Sequence, residues 1–202
     1  MKKVLLVALV LGLVSTAVAQ TSNTGGSGTN ECKLKLSQAP AIRGIRLGMS
    51  VEQVLAQIPG SEADSNLLAR LAQDHFGRKD LNVMPGGYVT SKEKFAGING
   101  LYLTFLDGRL LSFRVHYEGP EWNSREQFAE RVAELLSLPG VGFWKARNQV
   151  FALACDGFEI SVQTSGPKHS LILMTDTKVD IGKIVREREE VPKEKTRRAF
   201  KP

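Results

Sequence analysis

The sequence has few of the residues that carry catalysis and metal binding. Its 202 residues include only three histidines and two cysteines. None of the histidines has a second His or Cys at metal-ligand spacing, and no His-Glu-x-x-His occurs. The Gly-x-Ser-x-Gly nucleophile motif is missing, as is a glycine-rich phosphate loop between a strand and a helix. From motifs alone we predict no catalytic, metal-binding or cofactor-binding residue and no cofactor.

Long apolar runs are also missing. The longest, residues 4–14, falls short of the about 20 residues that a membrane-spanning helix needs. It follows Lys2 and Lys3 and precedes Ala17-Val18-Ala19, an order typical of a secretory signal peptide. We therefore predict a signal peptide over residues 1–19, cleaved after Ala19, and no transmembrane segment in the mature chain. The protein is then exported, either periplasmic or released. No cysteine directly follows the apolar run, so a lipid-attachment site is lacking.

Net charge is absent from most of the mature chain. Residues 21–177 contain sixteen basic and sixteen acidic side chains, and a neutral body argues against a nucleic-acid-binding surface. The positive excess lies in residues 178–202, which hold nine basic and five acidic residues. Five basic residues near the end are candidates for weak contact with an anionic surface: Lys193, Lys195, Arg197, Arg198 and Lys201. The alternative is a solvated, frayed terminus.

Composition divides the mature chain into three parts. Residues 20–31 are predicted as a flexible leader, because residues 21–30 are only Thr, Ser, Asn and Gly. Residues 32–177 form a single α+β domain, and residues 178–202 a charged helical tail with a basic end. Cys32 and Cys155 both survive signal removal, and in an oxidising compartment a pair favours a disulfide. The alternative is two unpaired thiols, with Cys155 filling the core.

Two helices have clear start and stop signals. Ser50 and Gln53 form a capping box before an apolar stripe that ends at Pro59-Gly60. Ser124 and Gln127 repeat the pattern, ending at Pro139-Gly140. A further helix is predicted from Asp64 or Ser65 to Gly77, and another over residues 179–190, ended by Val191-Pro192.

Alternating apolar residues predict strands. Residues 101–117 form a hairpin around Asp107-Gly108, and a second Asp-Gly turn separates strands over residues 150–154 and 158–163. Residues 171–174 form another strand and residues 42–47 a short one, whereas residues 78–96 are mostly loop. Because one strand face is apolar and the other polar, we predict an antiparallel sheet with helices packed on one face. The order helix-then-hairpin occurs twice, by duplication or by chance recurrence of common signals.

A family resemblance follows from two runs. Residues 45–54, Ile-Arg-Leu-Gly-Met-Ser-Val-Glu-Gln-Val, and residues 103–110, Leu-Thr-Phe-Leu-Asp-Gly-Arg-Leu, resemble the small outer-membrane assembly lipoprotein family. They are also similar to the tandem units of the β-lactamase inhibitor protein. The resemblance implies α+β modules that bind proteins and are not enzymes. The chain departs from the first family in lacking its lipid-attachment cysteine.

Four residues are candidates for contact with a partner. Trp122 and Trp144 flank a predicted helix, where tryptophan either joins an interface or caps the edge of a core. Arg114 and His116 alternate with apolar residues and so belong on the polar sheet face.

We predict an exported, non-catalytic binding or cell-envelope-associated module that contacts an envelope protein. The alternative is an exported hydrolase of envelope material with dispersed catalytic residues. A closed cleft joining His116, Arg114 and a carboxylate would favour the hydrolase.

Overall fold

The computed structural model describes residues 31–164 and 169–199, with the backbone alone for residues 192–199. The predicted signal peptide, the leader up to residue 30 and Lys201 lie outside the described residues.

One antiparallel sheet of seven strands organises the described part of the chain, which is an α+β fold as predicted. The spatial order is β1-β2-β3-β7-β6-β5-β4. The strands are β1 Arg78–Val83, β2 Ile98–Leu106, β3 Arg109–Glu118, β4 Lys145–Arg147, β5 Val150–Ala154, β6 Phe158–Thr164 and β7 His169–Asp176. The two halves of the chain meet where β3 pairs with β7. Duplication and chance recurrence both stay open as origins of the two halves.

Four α-helices accompany the sheet in the described residues: α1 Val51–Leu55, α2 Ser65–Leu71, α3 Arg125–Leu135 and α4 Ile181–Ala199. The predicted caps are confirmed. The Ser50 hydroxyl accepts a hydrogen bond from the backbone N–H of Gln53 at 3.2 Å. The Ser124 hydroxyl accepts one from the backbone N–H of Gln127 at 3.1 Å. Asp64 caps α2 by accepting two backbone amides. These bonds satisfy amide groups that a helix start otherwise leaves unpaired.

The predicted hairpin is confirmed as β2 and β3. Asp107 and Gly108 have φ of 50° and 77°, which is the left-handed conformation that a tight two-residue turn requires. The alternation of apolar residues then places one row of side chains in the core, including Leu103, Phe105 and Phe113.

Two hydrophobic clusters hold the fold together. The main cluster lies on one sheet face, which we name the inner face, and α1, α2 and α3 supply Val54, Leu67 and Phe128 to it. The second is smaller and joins Leu106, Leu111 and Val185 of α4. Leu106 follows the inner-face residue Phe105 in β2 and so points to the opposite, outer face. Helix α4 therefore packs at the hairpin end of the outer face, beyond the one-sided covering that the strand pattern predicts.

Three local predictions are wrong. Residues 42–47 are not a strand, because positive φ at Arg43 and Gly44 reverses the chain between Ile42 and Ile45. The loop predicted over residues 78–96 begins instead with β1, an edge strand whose buried residues are only Leu81 and Val83, and 3-10 helices and turns follow over residues 84–96. The second helix stops at Leu71 rather than Gly77, and the chain then bridges from His75 to Arg78.

The end of α4 also differs from its prediction. The helix does not stop at Val191-Pro192 but continues to Ala199. Proline removes one intrahelical hydrogen bond and bends the chain, which weakens a helix without always ending it. The predicted α4 contacts of Ile181, Ile184 and Val185 are confirmed as parts of the second cluster.

Candidate binding surface

One row of side chains crosses the entire outer face. Paired residues of neighbouring antiparallel strands lie on the same sheet face, so the register can be followed from one edge to the other. The row, which we name the outer row, is Asn82, Tyr102, Arg114, Leu173, Ser161, Ala152 and Lys145. Its seven members come from seven strands, so only the assembled sheet creates this surface.

The first half of the outer row is exposed and aromatic. Tyr102 is 42% exposed, and Asn82 and Arg114 are exposed beside it. They border an open depression of about 350 Å³ that Arg70 and Asp80 also line. A broad depression of this kind offers area for contact rather than an enclosed site.

Charge in this depression is unevenly paired. Asp80 accepts from the Arg78 guanidinium at 2.8 Å and from the Thr104 hydroxyl at 2.8 Å. Arg114 and Arg70 have no ion-pair partner among the described residues. The carboxylate is therefore occupied, while two guanidinium groups stay free to meet an external anion.

His116 lies beside the outer row. Its ring tilts against that of Tyr102 with centroids 5.0 Å apart. Its Nε2 atom is buried and has no hydrogen-bond partner in the described part of the chain. Burial lowers the pKa of His116, and the nearby charges of Arg114 and His169 lower it further. His116 is not among the residues that line the depression, so it does not meet Arg114 and a carboxylate in a closed cleft.

The second half of the outer row is mostly buried, since Ser161 is 5% exposed and Ala152 2% exposed, and only Lys145 at its end is exposed. Ser161 and Ala152 are flanked by Leu173 and Lys145. Arg147 pairs with Glu159 at 2.8 Å on the same face, whereas Lys145 has no ion pair in the described chain.

The predicted disulfide is confirmed at the end of β5. Cys32 and Cys155 are bonded, with their Cα atoms 4.6 Å apart. The bridge borders a second depression of about 350 Å³ whose lining includes Lys145 and Ala152 of the outer row. The bridge thus fixes the leader side of the chain next to the outer face.

The two tryptophans have different surroundings. Trp144 is 5% exposed, stacks on Phe151, and donates its indole N–H to the Pro139 carbonyl at 3.0 Å. It therefore caps the core edge, which was one of its two alternatives. Trp122 is partly exposed and packs on Phe128, with ring centroids 5.2 Å apart. It lines a separate apolar cleft of about 240 Å³ beside α3, which the sequence analysis did not foresee.

The shifted carboxyl groups have structural explanations. The Tyr88 hydroxyl lowers the pKa of Asp64, Arg188 lowers that of Asp107, and the Ser50 hydroxyl lowers that of Glu52. Glu52 and Asp64 lie at the capped starts of α1 and α2. Asp107 pairs with Arg188 at 2.7 Å and so anchors α4 to the β2–β3 turn. Within residues 31–164 and 169–199 no group of three or more His, Cys, Asp or Glu is arranged to hold a metal ion.

The tail contributes a helical backbone but no described surface. Lys193, Lys195, Arg197 and Arg198 lie in the last part of α4, where side chains are outside the described residues. In the described chain, none of the helices combines the length and apolar character required to cross a bilayer.

The outer row could only partly be foreseen. Alternation within the hairpin places Tyr102 and Arg114 on the polar face, and this much is visible in the sequence. Asn82 and Asp80 are not visible in the sequence as surface residues, because the turn residues of 78–96 favour loop over a strand. No protein-family model, curated protein sequence or solved structure matches this chain, so the resemblance noted above stays a prediction from sequence.

Proposed function

We propose that this protein is an exported, non-catalytic binding module that contacts an envelope protein through its outer sheet face. The observation that carries the proposal is the first half of the outer row, where Asn82, Tyr102 and Arg114 are exposed and are left uncovered by α1, α2 and α3. Tyr102 and Arg114 lie side by side in it. Tyrosine and arginine are the residue types that most often dominate binding energy at protein interfaces.

The charges of this face indicate the chemistry of the partner. Asp80 and Glu159 are paired with Arg78 and Arg147, whereas Arg70, Arg114 and Lys145 have no ion pair with any described residue. The face thus presents an excess of positive charge around Tyr102 and Leu173. A complementary partner has an apolar centre bordered by acidic residues.

Site-specific photo-cross-linking tests the proposal. A photoreactive phenylalanine replaces Tyr102, and in a matched control it replaces Val89, which is 91% exposed away from the outer row. In the native envelope, position 102 should give one discrete protein adduct that position 89 does not give.

Charge reversal makes this test specific. Arg114→Glu should remove the adduct from position 102, because it sets a carboxylate against acidic partner residues. Lys92→Glu, an equal charge change at an exposed position after β1, should leave the adduct unchanged. An adduct that survives Arg114→Glu, or equal adducts at both probe positions, would contradict contact through the outer face.

The hydrolase alternative has less support. The depression that Arg114 and Asp80 share is open, and His116 lies outside it. The carboxyl groups with lowered pKa values act in caps and anchors. The binding module therefore accounts for the surface with fewer assumptions.

Export rests on the sequence of the first nineteen residues. The Cys32–Cys155 disulfide is compatible with an oxidising exported compartment. We propose cleavage after Ala19, and the mass of the exported protein's N-terminal peptide tests it. A peptide beginning at Gln20 is expected, and exported protein that retains residues 1–19 would contradict the proposal.

The basic end of the tail is proposed to attract anionic surfaces weakly. Lys193, Lys195, Arg197, Arg198 and Lys201 would each add roughly 1 kcal/mol close to a charged membrane. Removing residues 193–202 should abolish binding to phosphatidylglycerol vesicles at low salt. Because such attraction is screened by salt, binding by the truncated protein, or binding insensitive to salt, would contradict the role of the tail.

A further inference from the structure

The apolar cleft beside α3 is a second concave site, separate from the outer face. It opens between the second half of α3 and the region where β3 ends and β7 runs beside it. Its apolar walls include Trp122, Phe128, Val132, Leu135, Leu136 and Ile172. Leu135 forms part of the rim and is 64% exposed. A polar residue could have occupied this outward-facing position of α3. An exposed leucine beside a partly exposed tryptophan is apolar surface that the fold itself leaves uncovered.

The size of the cleft limits what fits inside it. A cavity of about 150 Å³ lined by Leu, Ile and Phe holds a benzene molecule. The cleft measures about 240 Å³. It therefore accommodates one aromatic ring with a short chain, and is too small for a long lipid.

Polar groups at the cleft favour an anion over a neutral molecule. Arg43 lines the cleft, is exposed, and uses one guanidinium nitrogen in a 3.5 Å bond to the Ala96 carbonyl. Arg131 also lines it and pairs with Glu134 through Nη1. The Tyr117 hydroxyl has no hydrogen-bond partner among the described residues.

The remaining acidic residue of the lining does not cancel these charges. Glu118 follows Tyr117 in β3, and adjacent strand residues point to opposite faces. Its pairing with His169 places it across the sheet from the Tyr117 ring. The cleft thus combines apolar walls with the Arg43 guanidinium and a phenol that are available to a carboxylate, while Arg131 is paired with Glu134.

We propose that this cleft binds a small monocarboxylate whose apolar body is about the size of one aromatic ring. The ring packs against Trp122, Phe128 and Leu135, and the carboxylate accepts hydrogen bonds from Arg43 and the Tyr117 hydroxyl. Charge-assisted bonds from guanidinium groups to carboxylates are the strong ones. This inference goes beyond the proposed function, since neither Arg43 nor Trp122 lies in the outer row.

The test uses 3-phenylpropionate as the probe and the exported full chain as the protein. The chain has two tryptophans, so an NMR spectrum holds two indole N–H signals, and Trp122→Phe identifies the one in the cleft. The Trp122 signal should shift in a saturable way with 3-phenylpropionate. The signal of buried Trp144 should stay in place. 3-Phenylpropanol, which has the same ring but no charge, should bind about tenfold more weakly.

Matched variants separate charge from apolar contact. Arg43→Gln should weaken 3-phenylpropionate binding by about three- to tenfold and leave 3-phenylpropanol binding unchanged. Arg46→Gln is the control, because Arg46 is exposed in the same segment and does not line the cleft. Tyr117→Phe should act in the same direction as Arg43→Gln.

Two substitutions of opposite charge at Leu135, on the rim of the cleft, test the charge preference independently. Leu135→Glu and Leu135→Lys remove the same apolar contact at a position that is 64% exposed. The glutamate should weaken 3-phenylpropionate binding by about fivefold more than the lysine does, because it repels the carboxylate.

The proposal is overturned if 3-phenylpropionate does not shift the Trp122 signal at millimolar concentration. It is equally overturned if the acid and the alcohol bind alike, or if Arg43→Gln matches Arg46→Gln in a protein with an unchanged melting temperature. None of these results changes the cross-linking expected at position 102. The proposals for the cleft and for the outer face are therefore tested independently.

Discussion

At the scale of single residues, the partly buried ring of His116 costs the folded protein stability, and this cost depends on pH. Burial is the main reason that its pKa is lowered, so the folded protein resists a proton that the unfolded chain accepts. Above the unfolded pKa of about 6.5 this cost is absent, and it grows as the pH falls through the lowered value. We predict that wild-type protein loses more stability than His116→Gln between pH 7.5 and pH 5, as measured by urea unfolding.

The cause of the shift is separately testable by NMR titration of the imidazole. Arg114 lowers the pKa of His116 by charge repulsion, so Arg114→Gln should raise it toward its ordinary value. An unchanged titration in Arg114→Gln would mean that the two side chains lie further apart than they do here.

The bond between Tyr88 and Asp64 acts over a defined pH range. The Tyr88 hydroxyl donates to the Asp64 carboxylate at 2.6 Å, which lowers the pKa of Asp64 and contributes, after burial, to raising that of Tyr88 to about 12. The bond stabilises the folded protein fully at pH values between the pKa of Asp64 and the pKa of Tyr88 in the unfolded chain. It is lost as the pH falls through the lowered Asp64 value or rises through about 12.

Tyr88→Phe should therefore be less stable than wild type at neutral pH and equally stable in strong acid. Unfolding by urea at a series of pH values measures this difference. A difference that persists unchanged in strong acid would show that the hydroxyl acts through packing and not through the carboxylate.

At the scale of elements, the cap of α3 sets the stability of the helix that forms one wall of the cleft. Ser124→Ala removes the acceptor for the Gln127 amide and should cost about 0.5–2 kcal/mol of unfolding free energy. Ser124→Asp keeps an acceptor at the same position and should retain most of the stability. Equal destabilisation by both changes in a urea titration would contradict a capping role.

Elements with local signals were predicted well from sequence. The caps at Ser50, Asp64 and Ser124, and the turn at Asp107-Gly108, depend on neighbours within four residues. Strand β1 is not visible in the sequence, because an edge strand with only two buried residues has too weak an alternation and its identity depends on pairing with β2. The extension of α4 beyond Pro192 is not visible in the sequence, because proline is typical of a helix end.

The candidate surfaces were less predictable than the elements. The face of Arg114 follows from alternation within β3. Its neighbour Leu173 is 59 positions away and is brought beside it only by the β3–β7 register. The apolar cleft was not predicted, since the same apolar stripe on α3 describes both a packed helix and one wall of an open site.

At the scale of the whole molecule, the disulfide links the start of the described chain to the second half of the sheet. Its partners are 123 positions apart, so the bridge closes most of the domain into one loop. Beside it, Lys35 and Asp156 form an isolated parallel bridge, and the Asp156 amide donates to the Leu34 carbonyl at 2.9 Å. Residues 31–36 thus stay against the β5–β6 turn through one covalent bond and few hydrogen bonds.

Loss of this bridge should lower global stability more than it changes the fold. Closing a loop of this length restricts the unfolded chain, and removing a native disulfide from a small domain typically costs about 2–5 kcal/mol. We expect the double variant Cys32→Ser, Cys155→Ser to unfold at a lower urea concentration than wild type. Amide exchange should rise first around Leu34 and Asp156, while the β2–β3 hairpin remains protected because it packs into the main cluster. Thiol counting on denatured, unreduced protein provides the control and should find no free thiol. Equal unfolding midpoints for wild type and the double variant would mean that residues 31–36 are held by their packing alone.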